Sequence, residues 1–187
     1  MNNRENLLAK ALELFARYGY EAVGVQQIAD AAGVGKPTLY HYFGSKSGLL
    51  NTLLHERMDP FFEEFEAVAY HRDVMSMLRE TAETCFAFAR QDPLLYRLYL
   101  SMWFAPAESD AYKIAVSFTT RQQQRMESLF ARAAEDHGNM KGRQRAYAAS
   151  FLGMVHTYVM IALNGYAELD EAQVYRLIHQ FMHGIFS

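Results

Sequence analysis

Near the start of the chain, apolar residues recur at the interval of one helix face: Leu8, Ala11, Leu12 and Phe15 follow i, i+3, i+4 and i+7. Gly19 then stands where a left-handed residue ends a helix. The pattern returns over barely two turns in Val25, Ile28, Ala29 and Ala32, with Gly33 as its stop and Val34 placed to plug a small core. Helical spacing persists along nearly the whole chain, and no convincing run of alternating β-type residues interrupts it. An all-α fold is expected.

The stretch GVGKPTLYHYFGSK, residues 33–46, has a different character. Its spacing predicts a short helix that opens at Pro37, where a missing N–H is harmless, and buries only Leu39 and Phe43, at i and i+4. The remaining lysine, hydroxyl and ring side chains then face outward, which no core helix would require. With the preceding short helix and its glycine turn, this makes a helix-turn-helix. Ser45 is placed to cap a fourth helix whose apolar stripe is Leu49, Leu50, Leu53 and Leu54.

A chain of 187 residues holds one sizeable core, or a small module joined to a larger body. The second is expected, because the only Trp and most of the Phe and Met lie beyond residue 60. The boundaries read as a three-helix module over residues 1–48 and a larger helical domain over 49–187. In the body, helices are expected over Val74 to Arg90, Leu94 to Phe104, Asp110 to Glu135, Gly142 to Tyr166 and Glu171 to Ile185, separated by breaks at Gln91-Asp92-Pro93, Ala105-Pro106-Ala107, Gly138-Asn139 and the acidic turn from Glu168 to Asp170.

A formal charge of −3 excludes nucleic-acid binding by bulk charge alone. The local balance differs, since residues 31–55 contain no Asp or Glu but include Lys36 and Lys46. That window is a positive spot on a mildly acidic protein. A single Cys85 forms no intrachain disulfide and the first residues carry no apolar signal core, so a cytoplasmic location is expected. The most apolar run, Phe151 to Leu163, contains His156 and Thr157 and falls short of the ~20 residues of a membrane span, so none is expected.

In a helix-turn-helix the second helix enters the major groove of DNA while neighbouring helix N-termini meet phosphates. The residue types suit that task. Lys36 can donate to guanine O6 and N7, and Pro37 and the Tyr40 ring can pack on thymine methyls or sugar. Thr38, Tyr42 and Lys46 carry donors for phosphate oxygens, contacts that position rather than specify. Gln26 and Gln27, opening the preceding helix, add groove or backbone contacts, and His41 shares the exposed face.

The stretch IADAAGVGKPTLYHYFGSKSGLL, extended backward through ALELFARYGYEAVGVQQIA, resembles the DNA-binding signature of the TetR family of one-component transcription regulators. The resemblance covers about the first 55 residues. It implies base contacts at Lys36, Pro37 and Tyr40 and phosphate contacts at Thr38, Tyr42 and Lys46. It also implies an all-helical fold, a homodimer and a C-terminal cavity for a small effector. Two positions depart from the pattern. Gly24 stands where a capping hydroxyl often reaches a phosphate, and Ser47 stands where an acidic residue often follows the SK pair.

In the body, Ala146, Ala149, Ser150, Gly153, Thr157 and Asn164 form a small-residue row along one helix, opposite Phe151, Val155, Tyr158 and Ala162. Val174, Leu177, Ile178, Phe181 and Ile185 give the last helix its own stripe. These two helices are expected to meet their symmetry mates in a four-helix homodimer interface, which sets two reading helices against an inverted-repeat operator. A monomeric bundle using both helices internally is the alternative. Phe86, Tyr96, Tyr99, Met102, Trp103, Phe118 and His156 are candidates to line a cavity for a largely apolar or aromatic effector, against the competing expectation that they simply pack the core. No dense Lys/Arg cluster accompanies them to hold a polyanion.

His179 and His183 stand four apart without a third ligand, and Cys85 sits among Ala82, Phe86 and Ala89, so neither a metal nor any other cofactor is expected. No P-loop, dinucleotide fingerprint, nucleophile elbow or HExxH sequence is present. A regulator, most simply a repressor, is the expected function. An all-helical enzyme would leave the Lys/Tyr face without purpose, and a DNA-binding architectural or cell-cycle factor would need no effector.

Overall fold

The computed structural model describes residues 2–184. Among these residues the chain is all-helical, with no strand. The first helices are α1 (Asn3–Tyr18), α2 (Val25–Ala31), α3 (Lys36–Phe43) and α4 (Lys46–Ala67). They are followed by α5 (Val74–Gln91), α6 (Pro93–Met102), α7 (Asp110–Asp136), a 3-10 turn at Gly138–Met140, α8 (Gln144–Leu163) and α9 (Glu171–His183).

Several helix ends have a local cause. Asn2 caps α1 by accepting from Glu5 N at 2.8 Å, while the Glu5 carboxylate accepts from Asn2 N at 3.2 Å. Asp73 and Asp170 cap α5 and α9 through Ser76 N and Gln173 N. The expected start of α8 at Gly142 moves to Gln144, because Gly142 takes φ +80°, and its end retreats from Tyr166 to Leu163 ahead of Gly165, also at +80°. Ile185, the expected end of the last helix, lies outside the described residues.

One element runs further than its pattern suggests. The leucine stripe of α4 ends at Leu54, yet the helix continues through Pro60 to Ala67. An interior proline costs about 3 kcal/mol. Burial of Phe61, Phe62 and Phe65 immediately after it offsets that, at about 1.5–3 kcal/mol each.

The chain divides into two compact units, Met1–Pro60 with Leu94–Ser117, and Phe61–Pro93 with Phe118–Ser187. In the first, α2 packs on both α1 and α3, around Leu7, Ala11, Phe15, Ile28 and Leu39. In the second, α5 packs on α8 and α9. There α8 is long and apolar enough, on those two counts alone, to cross a membrane. Its exposed row is the small one, Ala146, Ala149, Ser150, Gly153, Thr157 and Asn164, while Phe151, Val155 and Val159 are fully buried.

Candidate nucleic-acid interface

Two glycine turns fix α3. Gly33, at φ +67°, lets Val34 N return to Ala29 O at 3.0 Å, closing α2 and turning the chain into α3. Gly44, at φ +72°, closes α3 through a bond from its N–H to Tyr40 O at 2.9 Å. Between them Leu39 is fully buried and Phe43 nearly so, and these two side chains hold the helix against its module.

The opposite face is open. Lys36, Pro37, Tyr40, His41 and Tyr42 are exposed and Thr38 is half-buried. Tyr40 and Tyr42 keep 48% and 41% of their surface in solvent, more than a ring would retain if packing were its purpose. His41 and Tyr42 meet edge to face at 5.3 Å, so part of this surface is already ordered.

Gln26 and Gln27 are also exposed, but each has local work. The Gln27 Oε1 accepts from Gly24 N at 2.8 Å, supplying the half of a capping box that does not need a side chain on the cap residue. Gly24 thus lacks a hydroxyl but leaves α2 with a satisfied start. Gln26 Nε2 donates to Asp30 at 2.6 Å.

Lys46 is turned inward. Its ammonium donates to Tyr20 O at 3.0 Å and Val23 O at 3.2 Å and lies 4.1 Å from the Tyr20 ring centroid. Two of its three N–H donors therefore hold the α1–α2 turn. Tyr20 is itself buried against Phe15, and burial together with the nearby Asp110 and Glu21 carboxylates raises its phenol above the usual tyrosine range.

Other residues shape this surface from behind. Ser45 Oγ accepts from Gly48 N at 2.9 Å, as its capping position suggests. Gly48 itself was not singled out, yet a Cβ there would lie 2.1 Å from Phe43 O, so only glycine permits this crossing of α3 and α4. A glycine inside a helical apolar pattern was the available signal. Asn6 Nδ2 donates to Ala32 O at 2.8 Å, tying α1 to the end of α2. Arg4 pairs with Glu56, holding that carboxyl below its ordinary range, and lies 5.7 Å from the Phe43 ring. In sequence both look like solvated polar residues in a first helical turn.

The seven cavity candidates fall into different units. On α6, Tyr96, Tyr99 and Met102 are buried; beyond it Trp103 is half-buried and its ring meets Tyr99 perpendicularly at 5.5 Å. In the second unit Phe86 and Phe118 are buried, the latter 5.6 Å from Phe62. His156 is buried too, with Nε2 3.1 Å from Gln122 Oε1, while Gln122 Nε2 reaches the Cys85 sulfur at 3.8 Å. That amide orientation requires His156 to donate from Nε2. Burial pushes its pKa down to about 3, so the ring is neutral. The described residues contain no cluster of three or more His, Cys, Asp or Glu able to hold a metal.

Residues 7–53 match the model of the bacterial regulatory proteins of the tetR family. Over 184 residues the chain is 29% identical to the transcriptional activator FasR of Mycolicibacterium smegmatis, covering 97% of this chain and 81% of that protein. It is 38% identical over 65 residues to the repressor ComR of Escherichia coli, covering 35% of this chain and 31% of ComR. Among solved structures, FadR of Bacillus subtilis in complex with stearoyl-CoA superposes with a TM-score of 0.75 at 19% identity, covering 97% of this chain and 98% of that one. The TetR-family regulator PfmR of Thermus thermophilus does so at 0.75 and 20%, covering 97% and 99%.

Proposed function

Since the chain belongs to the TetR family of DNA-binding transcription regulators, we propose that it is a one-component repressor whose operator binding is modulated by a small, largely apolar or aromatic effector. The observation that carries the reading is α3. This eight-residue helix is pinned by Leu39 and Phe43 and turns Lys36, Pro37, Tyr40, His41 and Tyr42 to solvent, in a stretch of sequence free of carboxylates. Lys36, Pro37 and Tyr40 read base edges, and Thr38 and Tyr42 donate to phosphates. Gln26, Gln27 and Lys46 support them, the last chiefly by holding the turn in front of α2.

Residues 1–48 form the reading module and 49–187 the effector-binding and dimerising body. The exposed small row of α8 meets its counterpart in a second copy, with α9 alongside. A two-fold axis then sets two copies of α3 about 34 Å apart, one turn of duplex, against an inverted repeat. An effector that prefers a dimer with another separation lowers operator affinity by its differential binding energy. Stearoyl-CoA, named with FadR of Bacillus subtilis, makes long acyl chains the first effectors to try.

Selection of bound fragments from a random double-stranded library tests the core of this reading. Recovery of an inverted repeat is expected, with Tyr40→Ala changing the recovered sequence. Absence of any sequence preference at low salt would remove DNA reading. Enrichment of many unrelated sites without symmetry, unaffected by acyl ligands, would favour an architectural factor.

A further inference from the structure

His179 and His183 stand on the last two turns of α9, and the helix brings their rings together. The ring centroids are 4.8 Å apart, with 47° between the planes. That separation has a chemical meaning. A metal ion bound at about 2.0–2.1 Å from an imidazole nitrogen stands about 3.2 Å from the ring centroid, so two rings sharing an ion at about 90–110° have centroids about 4.5–5.2 Å apart. His179 and His183 fall within that range, at the i, i+4 spacing by which two histidines on one helix face hold zinc. The terminal torsion of a histidine is broad, and rotation about it aims one nitrogen of each ring at a common point without moving the backbone.

The surroundings suit a cation. The pair lies at the carbonyl end of α9, where the helix dipole carries partial negative charge. Tyr175, one turn earlier, lies 5.8 Å from His179 and supports that ring from its N-terminal side. Arg176, the cation nearest in sequence, is turned toward the start of the helix: its Nη2 donates to Gln173 Oε1 at 2.8 Å and lies 4.0 Å from Asp170. His183 is exposed and His179 half-buried, so an ion reaches both from solvent. The missing third ligand, which in sequence argued against a metal, excludes only a closed site. Two imidazoles leave the remaining positions to water, as open sites do.

We propose that His179 and His183 of one chain chelate a divalent transition-metal ion of the kind that imidazole prefers: copper, nickel or zinc. The order of affinity follows the ion, Cu²⁺ ahead of Ni²⁺ and Zn²⁺, while Mg²⁺ keeps its oxygen ligands and is refused. The pair also stands clear of the small row of α8. The α9 residue beside that row is Gln180, and around the helix His179 lies about 100° and His183 about 60° from it, in the same direction. The inference rests on neither DNA reading nor effector binding.

Calorimetric titration of the untagged full chain with Cu²⁺, Ni²⁺, Zn²⁺ and Mg²⁺ in a non-coordinating buffer tests it. One Ni²⁺ per chain is expected, with Cu²⁺ at least tenfold tighter than Zn²⁺ and no heat from Mg²⁺. His179→Gln and His183→Gln should each weaken Ni²⁺ at least tenfold. His55→Gln, which removes the imidazole of the His55–Asp59 pair on α4, should leave it unchanged. Ni²⁺ should raise the thermal midpoint of the parent and not that of the double variant, because only the folded helix holds both rings together. The electron paramagnetic resonance spectrum of bound Cu²⁺ should show coupling to two imidazole nitrogens in the parent, a reading that needs no variant to fold. No binding by the parent, undiminished binding by both α9 variants, loss in His55→Gln instead, or one ion per two chains would each overturn the assignment.

Discussion

The Lys46 ammonium donates to the carbonyl oxygen of Tyr20, 3.0 Å away, and so ties the first turn of α4 to the turn between α1 and α2. Lys46→Ala removes two charge-assisted bonds and a ring contact from a half-buried site, and about 1–2 kcal/mol of stability should go with them. DNA affinity should fall uniformly across sequences, with a lower urea midpoint in the absence of DNA. If the third donor reaches a phosphate, the salt slope falls by about one as well. An unchanged urea midpoint would return Lys46 to a purely external role.

Gly48 makes a sharper demand. Its missing Cβ is what admits Phe43 O, since the ideal atom would lie at 2.1 Å from that oxygen. Gly48→Ala should destabilise by about 1–3 kcal/mol through forced separation of α3 and α4, even though alanine is the better helix former by roughly 1 kcal/mol. DNA binding should weaken along with it. Thermal unfolding and a fluorescence-anisotropy titration on a selected operator decide the sign, and a stabilised variant would show that the junction yields.

These two residues mark what was legible in sequence. Helical periodicity and glycine stops placed α1 to α3 and the burial of Leu39 and Phe43, because those features are local and repeat at 3.6 residues. The exposed face of α3 followed from the same argument. Gly48, Asn6 and Arg4 did not follow, since their partners Phe43, Ala32 and Glu56 meet them only through the crossing of helices. Continuation of α4 through Pro60 was hidden for the same reason, because the phenylalanines that offset the proline gain only from tertiary burial. The space bordered by Met75, Met140, Met154 and Met182 draws its walls from α5, α7, the 3-10 turn, α8 and α9, and no single window of sequence displays it.

His156 predicts a pH dependence of stability. Its folded pKa is depressed to about 3 from an ordinary value of 6.5, so the unfolded chain takes up a proton that the folded chain refuses. The contribution is fully present above pH 6.5 and is lost as pH falls from there toward 3, at about 1.4 kcal/mol per pH unit. His156→Gln keeps a donor for Gln122 and does not titrate. Its unfolding free energy should fall less steeply than that of the parent between pH 6.5 and 4.5. Parallel curves in chemical denaturation would mean that the imidazole finds another way to accept its proton.

Gly153 separates folding of the chain from its proposed pairing. It lies exposed in the middle of α8, and an added Cβ would meet nothing within 4 Å in the same chain. In an isolated protomer Gly153→Ala should therefore stabilise the helix by roughly 0.5–1 kcal/mol. A dimer built on the small row reverses the outcome, because each added atom there pushes the two copies of α8 apart, and Gly153→Glu also places like charges across the two-fold. The glutamate variant is expected to retain its helix content, sediment as a monomer and bind the inverted repeat no more tightly than a single half-site. Retention of dimer mass and full operator affinity would move the interface to another face of the molecule.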